Sequence, residues 1–159
     1  MKLYHGSNIT VDKPRILTPN RALDFGAGFY VTSDRGQAEN WANAVVKRTY
    51  EGKPTLNTYD FDENFDNLSV KQFETPTKQW LDFVCEHRLW QYQGEDYDLI
   101  IGPVANDNTM PVLRAYMNAR NKDLYAPIAL DDIRADRLKD QYVFKTEKAL
   151  QYLKFLEAK

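Results

Sequence analysis

Short apolar runs broken by glycine and proline set the pattern of this chain. Lys2-Leu3-Tyr4-His5-Gly6 reads as a short strand ending at a glycine, and Gly28-Phe29-Tyr30-Val31-Thr32 has the aromatic and β-branched content of another. Ser33 or Asp34 can cap the helix that follows, with Ala38, Trp41, Ala42 and Val45 at helical spacing, and Gly52-Lys53-Pro54 stops it. Thr55 to Phe61 and Leu68 to Phe73 predict extended segments. Thr75 or Thr77 opens a second helix to about Trp90, with Trp80, Leu81, Val84 and Cys85 inward. Tyr97 to Ile101 predicts a strand buried on both faces. A third helix follows Pro111, a fourth is expected from about Leu130 to Leu138, and Tyr142-Val143-Phe144 reads as the last strand. Glu147 to Ala158 is expected as a closing helix, with Ala149, Leu150, Leu153 and Leu156 inward. Strands and helices mix without a regular alternation, so the fold class expected is α+β.

The 159 residues suit one domain, 1–159, with no internal repeat or flexible linker. With 21 Lys and Arg against 23 Asp and Glu, the net charge of −2 weighs against a protein that chiefly neutralises nucleic-acid phosphates. Hydrophobic residues at 43% and aromatics at 13% exclude wholesale disorder. The longest apolar run, Leu99-Ile100-Ile101, falls far short of a membrane span and MKLYHGSN lacks a signal-peptide centre, so the expected location is cytoplasmic, away from membranes. A single cysteine, Cys85, excludes an internal disulfide framework and a Cys-rich zinc site, and its apolar neighbours suggest an inert buried thiol.

No glycine-rich dinucleotide fingerprint and no phosphate loop is present. His5 and His87 are not spaced as a metal pair, and His87 reads as a surface or packed side chain. Trp41, Trp80 and Trp90 fall at inward helical spacings and read as core. Two segments stand out: Tyr4-His5-Gly6-Ser7, and Asp24-Phe25-Gly26 leading into Gly28-Phe29-Tyr30. A strand-end histidine can hydrogen-bond a ribose hydroxyl, the next glycine lets main chain approach a ligand, and an aromatic offers a stacking face. A hairpin edge with a half-buried His5 and a core Tyr30 accounts for the same residues. Arg88 lies on the apolar side of its helix, where it could hold a pyrophosphate or pair with an acid such as Asp107. Asn106-Asp107-Asn108 suits either a site loop or a helix-capping turn.

These segments resemble the ADP-ribosyltransferase superfamily, in its histidine–tyrosine branch, and more closely the bacterial domain-of-unknown-function family 3990. The resemblance is carried by LYHGS, DFGAGFYVTSDRGQAENWA, WLDFVCEHR, YDLIIGPVANDN and DQYVFKTEKALQYLKF, in this order over residues 3–155. It implies a split pair of small antiparallel sheets flanked by helices and clasping NAD. The activity implied is cleavage of the nicotinamide–ribose bond and transfer of ADP-ribose. NAD would be the co-substrate and no metal is implied. The acceptor is left open among protein, nucleic acid and small molecule. Fold-level analogy adds a toxin or phage-defence component with a cognate antitoxin.

Residue by residue, the resemblance implies that His5 hydrogen-bonds a ribose of NAD, that Gly6 holds the nicotinamide carboxamide through its main chain, and that Tyr30 stacks on the ring. The third family position, usually Glu, falls on Gln141. A neutral amide keeps a hydrogen bond but adds no charge to favour an oxocarbenium-like transition state. Gln141 thus suits a slower enzyme, a different acceptor, or an NAD- or partner-binding module of the same fold without turnover. Glu147 could substitute, although its place after Thr146 also suits a helix cap. The expected catalytic set is His5, Tyr30 and Gln141, with His5, Gly6, Tyr30 and Arg88 binding NAD.

Overall fold

The computed structural model describes residues 1–105, 109–134 and 138–159. The Asn106-Asp107-Asn108 cluster therefore lies outside the described residues. Chain order is β1 (Lys2–Ser7), β2 (Phe29–Val31), α1 (Arg35–Thr49), β3 (Thr55–Phe61), β4 (Val70–Gln72), α2 (Lys78–Arg88) and β5 (Leu99–Pro103). There follow α3 (Met110–Asn118), α4 (Lys122–Asp132), β6 (Asp140–Phe144), α5 (Glu147–Leu150) and β7 (Leu153–Ala158). The architecture is α+β: two small sheets, β1-β3-β7 and β2-β6-β5-β4, flanked by helices. The first is antiparallel throughout, whereas in the second β4 joins β5 in parallel. No helix among the described residues is long and apolar enough to cross a membrane.

Alternation along the strands explains the layers. In β5, Leu99 and Ile101 face a core shared with Leu3, Phe29, Val31, Tyr59 and Phe144, between the two sheets. Ile100, and Val143 of β6, face the opposite way, into a second core with Trp80, Leu81, Val84 and Cys85 of α2 and with Leu113 and Tyr116 of α3. Helix α1 covers the outer face of β1, burying Ala38 and Ala42. Asp34, Thr77 and Thr146 cap their helices with side-chain oxygens, each accepting the N–H three residues on.

Three expectations need correction. The closing segment is not a helix: α5 is a single turn, and 153–158 pairs antiparallel with β3, because a free sheet edge offers backbone partners that a short exposed helix lacks. Tyr142-Val143-Phe144 is accordingly not the last strand. The fourth helix covers Lys122–Asp132 rather than 130–138, and it carries Pro127 in its interior, where only one intrahelical donor is lost. Among the tryptophans Trp80 is fully buried, but Trp41 is only half-buried and Trp90 is 66% exposed.

Candidate functional site: a fork between the sheets

Strand β1 is bridged to Thr32, the residue just after β2. Tyr4 and Thr32 exchange main-chain hydrogen bonds at 2.8 and 2.9 Å, and among the described residues β1 and β2 form no other bridge. His5 fills the next rung: its Nδ1 lies 2.7 Å from the Tyr30 carbonyl oxygen, and its ring packs on Phe29 with centroids 4.4 Å apart. A carbonyl only accepts, so Nδ1 carries the hydrogen and Nε2 presents a lone pair. Burial pushes the His5 pKa below its ordinary value, which keeps the ring neutral near pH 7.

Gly6 follows in the same strand. Backbone groups alternate along a strand, so the N–H and C=O of Gly6 point to the edge that Tyr4 uses for Thr32. A donor and an acceptor side by side are complementary to a carboxamide. The glycine itself answers to a second constraint. A Cβ on Gly6 would lie 1.9 Å from the Ala38 carbonyl oxygen and 2.5 Å from the Ala42 nitrogen. Helix α1 can seat against β1 only because residue 6 has no side chain.

The other expected residues gather elsewhere. The Tyr30 ring points away from Phe29, toward the helices, where its hydroxyl donates to the Gly26 carbonyl at 2.6 Å and accepts from the Phe25 N–H at 3.2 Å. Burial raises the Tyr30 pKa, so it stays a neutral hydroxyl. Tyr30 thus gives the fork its carbonyl rather than its ring, and Phe29 is the aromatic that meets His5.

Gln141 and Arg88 converge on a residue for which sequence reasoning assigned no role, Asp24. The Arg88 Nε lies 2.7 Å from Asp24 Oδ1, with the two side chains 9% and 3% exposed. Gln141, 2% exposed, donates from Nε2 to Asp24 Oδ2 at 2.9 Å and to the Pro103 carbonyl at 3.1 Å. The Ala105 N–H donates to Oδ2 as well, the third contact of the carboxylate, and Arg88 also reaches the Ala105 and Ala22 carbonyls. Burial pushes the Asp24 carboxyl upward, while Arg88, Gln141 and the Ala105 amide pull it back. Arg88 is therefore held in an ion pair with Asp24 on the helix side of the second sheet, while Asp107, the acid named for it from the sequence, lies outside the described residues. The signal for Asp24 was its place beside Phe25-Gly26, but its partners lie 64 and 117 positions away.

Glu147 is exposed in the first turn of α5, where Thr146 is the cap, which matches the capping reading. Burial pushes the Cys85 thiol up to about 12, so it is inert near neutrality. His87, half-buried, bonds the Phe83 carbonyl through Nδ1 at 2.8 Å, and burial also lowers its pKa. Both histidines thus have folded pKa values below the unfolded value of about 6.5. As pH falls through 6.5 the unfolded chain takes up protons first, so stability is full above that pH and is lost below it. Tm should drop by roughly 3–6 °C between pH 7.5 and 5.5. Replacing either histidine with Gln should shrink that drop, as read by circular dichroism melts; an identical drop in both variants excludes this origin.

Comparison with known proteins returned one family. No curated protein and no solved structure matches the chain. The profile of the family described as "Protein of unknown function (DUF3990)" matches residues 1–155, which include the fork, Asp24 and strands β1 to β6 with the start of β7. The chain therefore belongs to the DUF3990 family.

Proposed function

We propose that the fork binds NAD and that the protein is an ADP-ribosyltransferase. The observation that carries this reading is the juxtaposition of a tautomerically fixed His5 with the Gly6 main-chain donor and acceptor, just past the Tyr4–Thr32 bridge. NAD supplies an ADP-ribosyl group whose bond to nicotinamide breaks as an acceptor nucleophile attacks the ribose carbon. In this reading His5 accepts a ribose hydroxyl at Nε2, and Gly6 grips the carboxamide with its N–H and C=O. Phe29, packed against His5 at a tilt, holds the imidazole in place. These groups bind and orient; none of them supplies a full negative charge to the ribose.

That last point favours a second reading, an NAD-binding domain without turnover. The amide nitrogen of Gln141 is engaged by Asp24 and by Pro103, so orienting the ribose through it would break a buried network. Two measurements divide the readings. Calorimetry should show NAD binding, weakened by His5→Ala by about 0.5–1.5 kcal/mol for one lost hydrogen bond. Equal affinity in parent and variant removes the fork from NAD recognition. Nicotinamide release by chromatography then separates transferase from binding module. Labelled NAD incubated with cell lysate identifies the acceptor of an active enzyme.

A further inference from the structure

A cleft of about 250 Å³ opens on the helix side of the second sheet, the face opposite the inter-sheet core. Its floor is built around Gly26, at φ +73°. A Cβ there would lie 3.0 Å from His87 Cδ2 and 3.2 Å from Lys145 Nζ, so the glycine keeps a niche beside two polar side chains. His87 Nδ1 is taken by the Phe83 carbonyl, so Nε2 offers a lone pair. Lys145 Nζ donates to the Phe25 carbonyl at 2.6 Å, and an ammonium has three hydrogens. Flat rings form part of the walls: Tyr92 stacks on His87 with centroids 4.0 Å apart, and Trp90 and Tyr97 line the cleft too, beside apolar Leu23 and Ile100. Exposed Glu95 and Asp96 stand at the mouth.

Trp90 is the residue that backbone chemistry does not explain. Helix α2 ends in a Schellman turn, in which the Trp90 N–H meets the His87 carbonyl and the Gln91 N–H meets the Glu86 carbonyl. The turn puts Trp90 at φ 57°, where glycine is the usual residue, and leaves it 66% exposed over the cleft. A strained, exposed indole beside a lined cavity is a contact surface for something.

The charges decide what that is. The ammonium of Lys145 in the floor opposes a cationic guest, and the two carboxylates at the mouth oppose an anionic one. An uncharged flat ring with adjacent donor and acceptor edges satisfies the Lys145 N–H groups, the His87 lone pair and the carboxylates while stacking on Trp90. We propose that this cleft binds a free, uncharged nucleoside. The proposal is independent of NAD binding at the fork.

The test is calorimetry on the full chain with adenosine, cytidine, AMP and tetramethylammonium. A nucleoside should bind saturably and AMP several-fold more weakly. Trp90→Ala should weaken nucleoside binding about 10-fold or more and Lys145→Met several-fold, while Trp90→Phe keeps most of the affinity. Trp90→Gly should abolish binding yet raise Tm by about 2–4 °C, because glycine accepts the left-handed turn. A merely structural indole would instead lower Tm. His5→Ala should leave nucleoside binding unchanged. The proposal is overturned by the absence of saturable binding of both nucleosides, by binding of tetramethylammonium in their place, by AMP binding more tightly than adenosine, or by loss of adenosine binding in His5→Ala.

Discussion

Gly6→Ala should lose about 4 kcal/mol or more of folding stability, the largest effect expected of any one-carbon change in this protein. The new methyl would sit 1.9 Å from one main-chain atom of α1 and 2.5 Å from another. Main-chain atoms inside a helix cannot swing aside as a flexible side chain can. The whole of α1 must therefore lift from β1, and Ala38 and Ala42 would lose their burial. At about 2–4 °C per kcal/mol for a chain of this size, Tm should fall by about 8–16 °C. Gly36→Ala, in the first turn of the same helix, is the control: its Cβ would meet only Asp34 Oδ1 at 3.4 Å, and alanine favours a helix by up to about 1 kcal/mol. Comparable melts for parent and Gly6→Ala would show that α1 is not seated as described. The comparison also guards the functional test, since lost NAD binding in Gly6→Ala means nothing until the fold is known to survive.

The second large effect belongs to Asp24. Arg88→Met would leave a carboxylate 3% exposed without its cation, and unpaired buried charges of this kind cost about 3–5 kcal/mol. Gln141→Glu attacks the same cluster from the other side. It replaces an N–H donor 2.9 Å from Asp24 with a second carboxylate and leaves the Pro103 carbonyl facing an acceptor. Reasoning from residue chemistry alone expects this glutamate to raise NAD cleavage by adding charge. The geometry instead predicts a loss of about 2–4 kcal/mol near neutral pH, from like charge and unmet hydrogen bonds. The deficit should shrink on acidification, because a glutamate held protonated beside Asp24 recovers one donor. Urea unfolding of the parent and both variants at pH 7.5 and 5.5 measures these effects. A change under 1 kcal/mol in Arg88→Met would mean that the ion pair is solvated.

The two clusters explain why the candidate site was only partly legible. LYHGS located the fork, since a strand ending in histidine and glycine is a local signal. Which face each side chain occupies depended on the register of β2 against β6, where Phe29 meets Phe144 and Tyr30 meets Val143. That register turns Phe29 toward His5 and Tyr30 toward the helices, so the aromatic expected to stack at the fork changes identity.

Features governed by contacts within a few residues were present in the sequence by itself. The caps at Asp34, Thr77 and Thr146, the apolar stripe Trp80-Leu81-Val84-Cys85 and the doubly buried run Leu99-Ile100-Ile101 all depend on near neighbours, which side-chain pattern encodes directly. Only the tertiary structure decided the closing segment, because Leu153 to Ala158 is a strand through the open edge of β3, nearly a hundred positions earlier. The same holds for the partners of Asp24, whereas Trp90 was turned away from its inward spacing by a local left-handed turn just past α2. Hydrogen bonding at a sheet edge and pairing of buried charge are long-range demands. They are met by whichever segment the fold brings near, and nothing in the local pattern of that segment announces its partner.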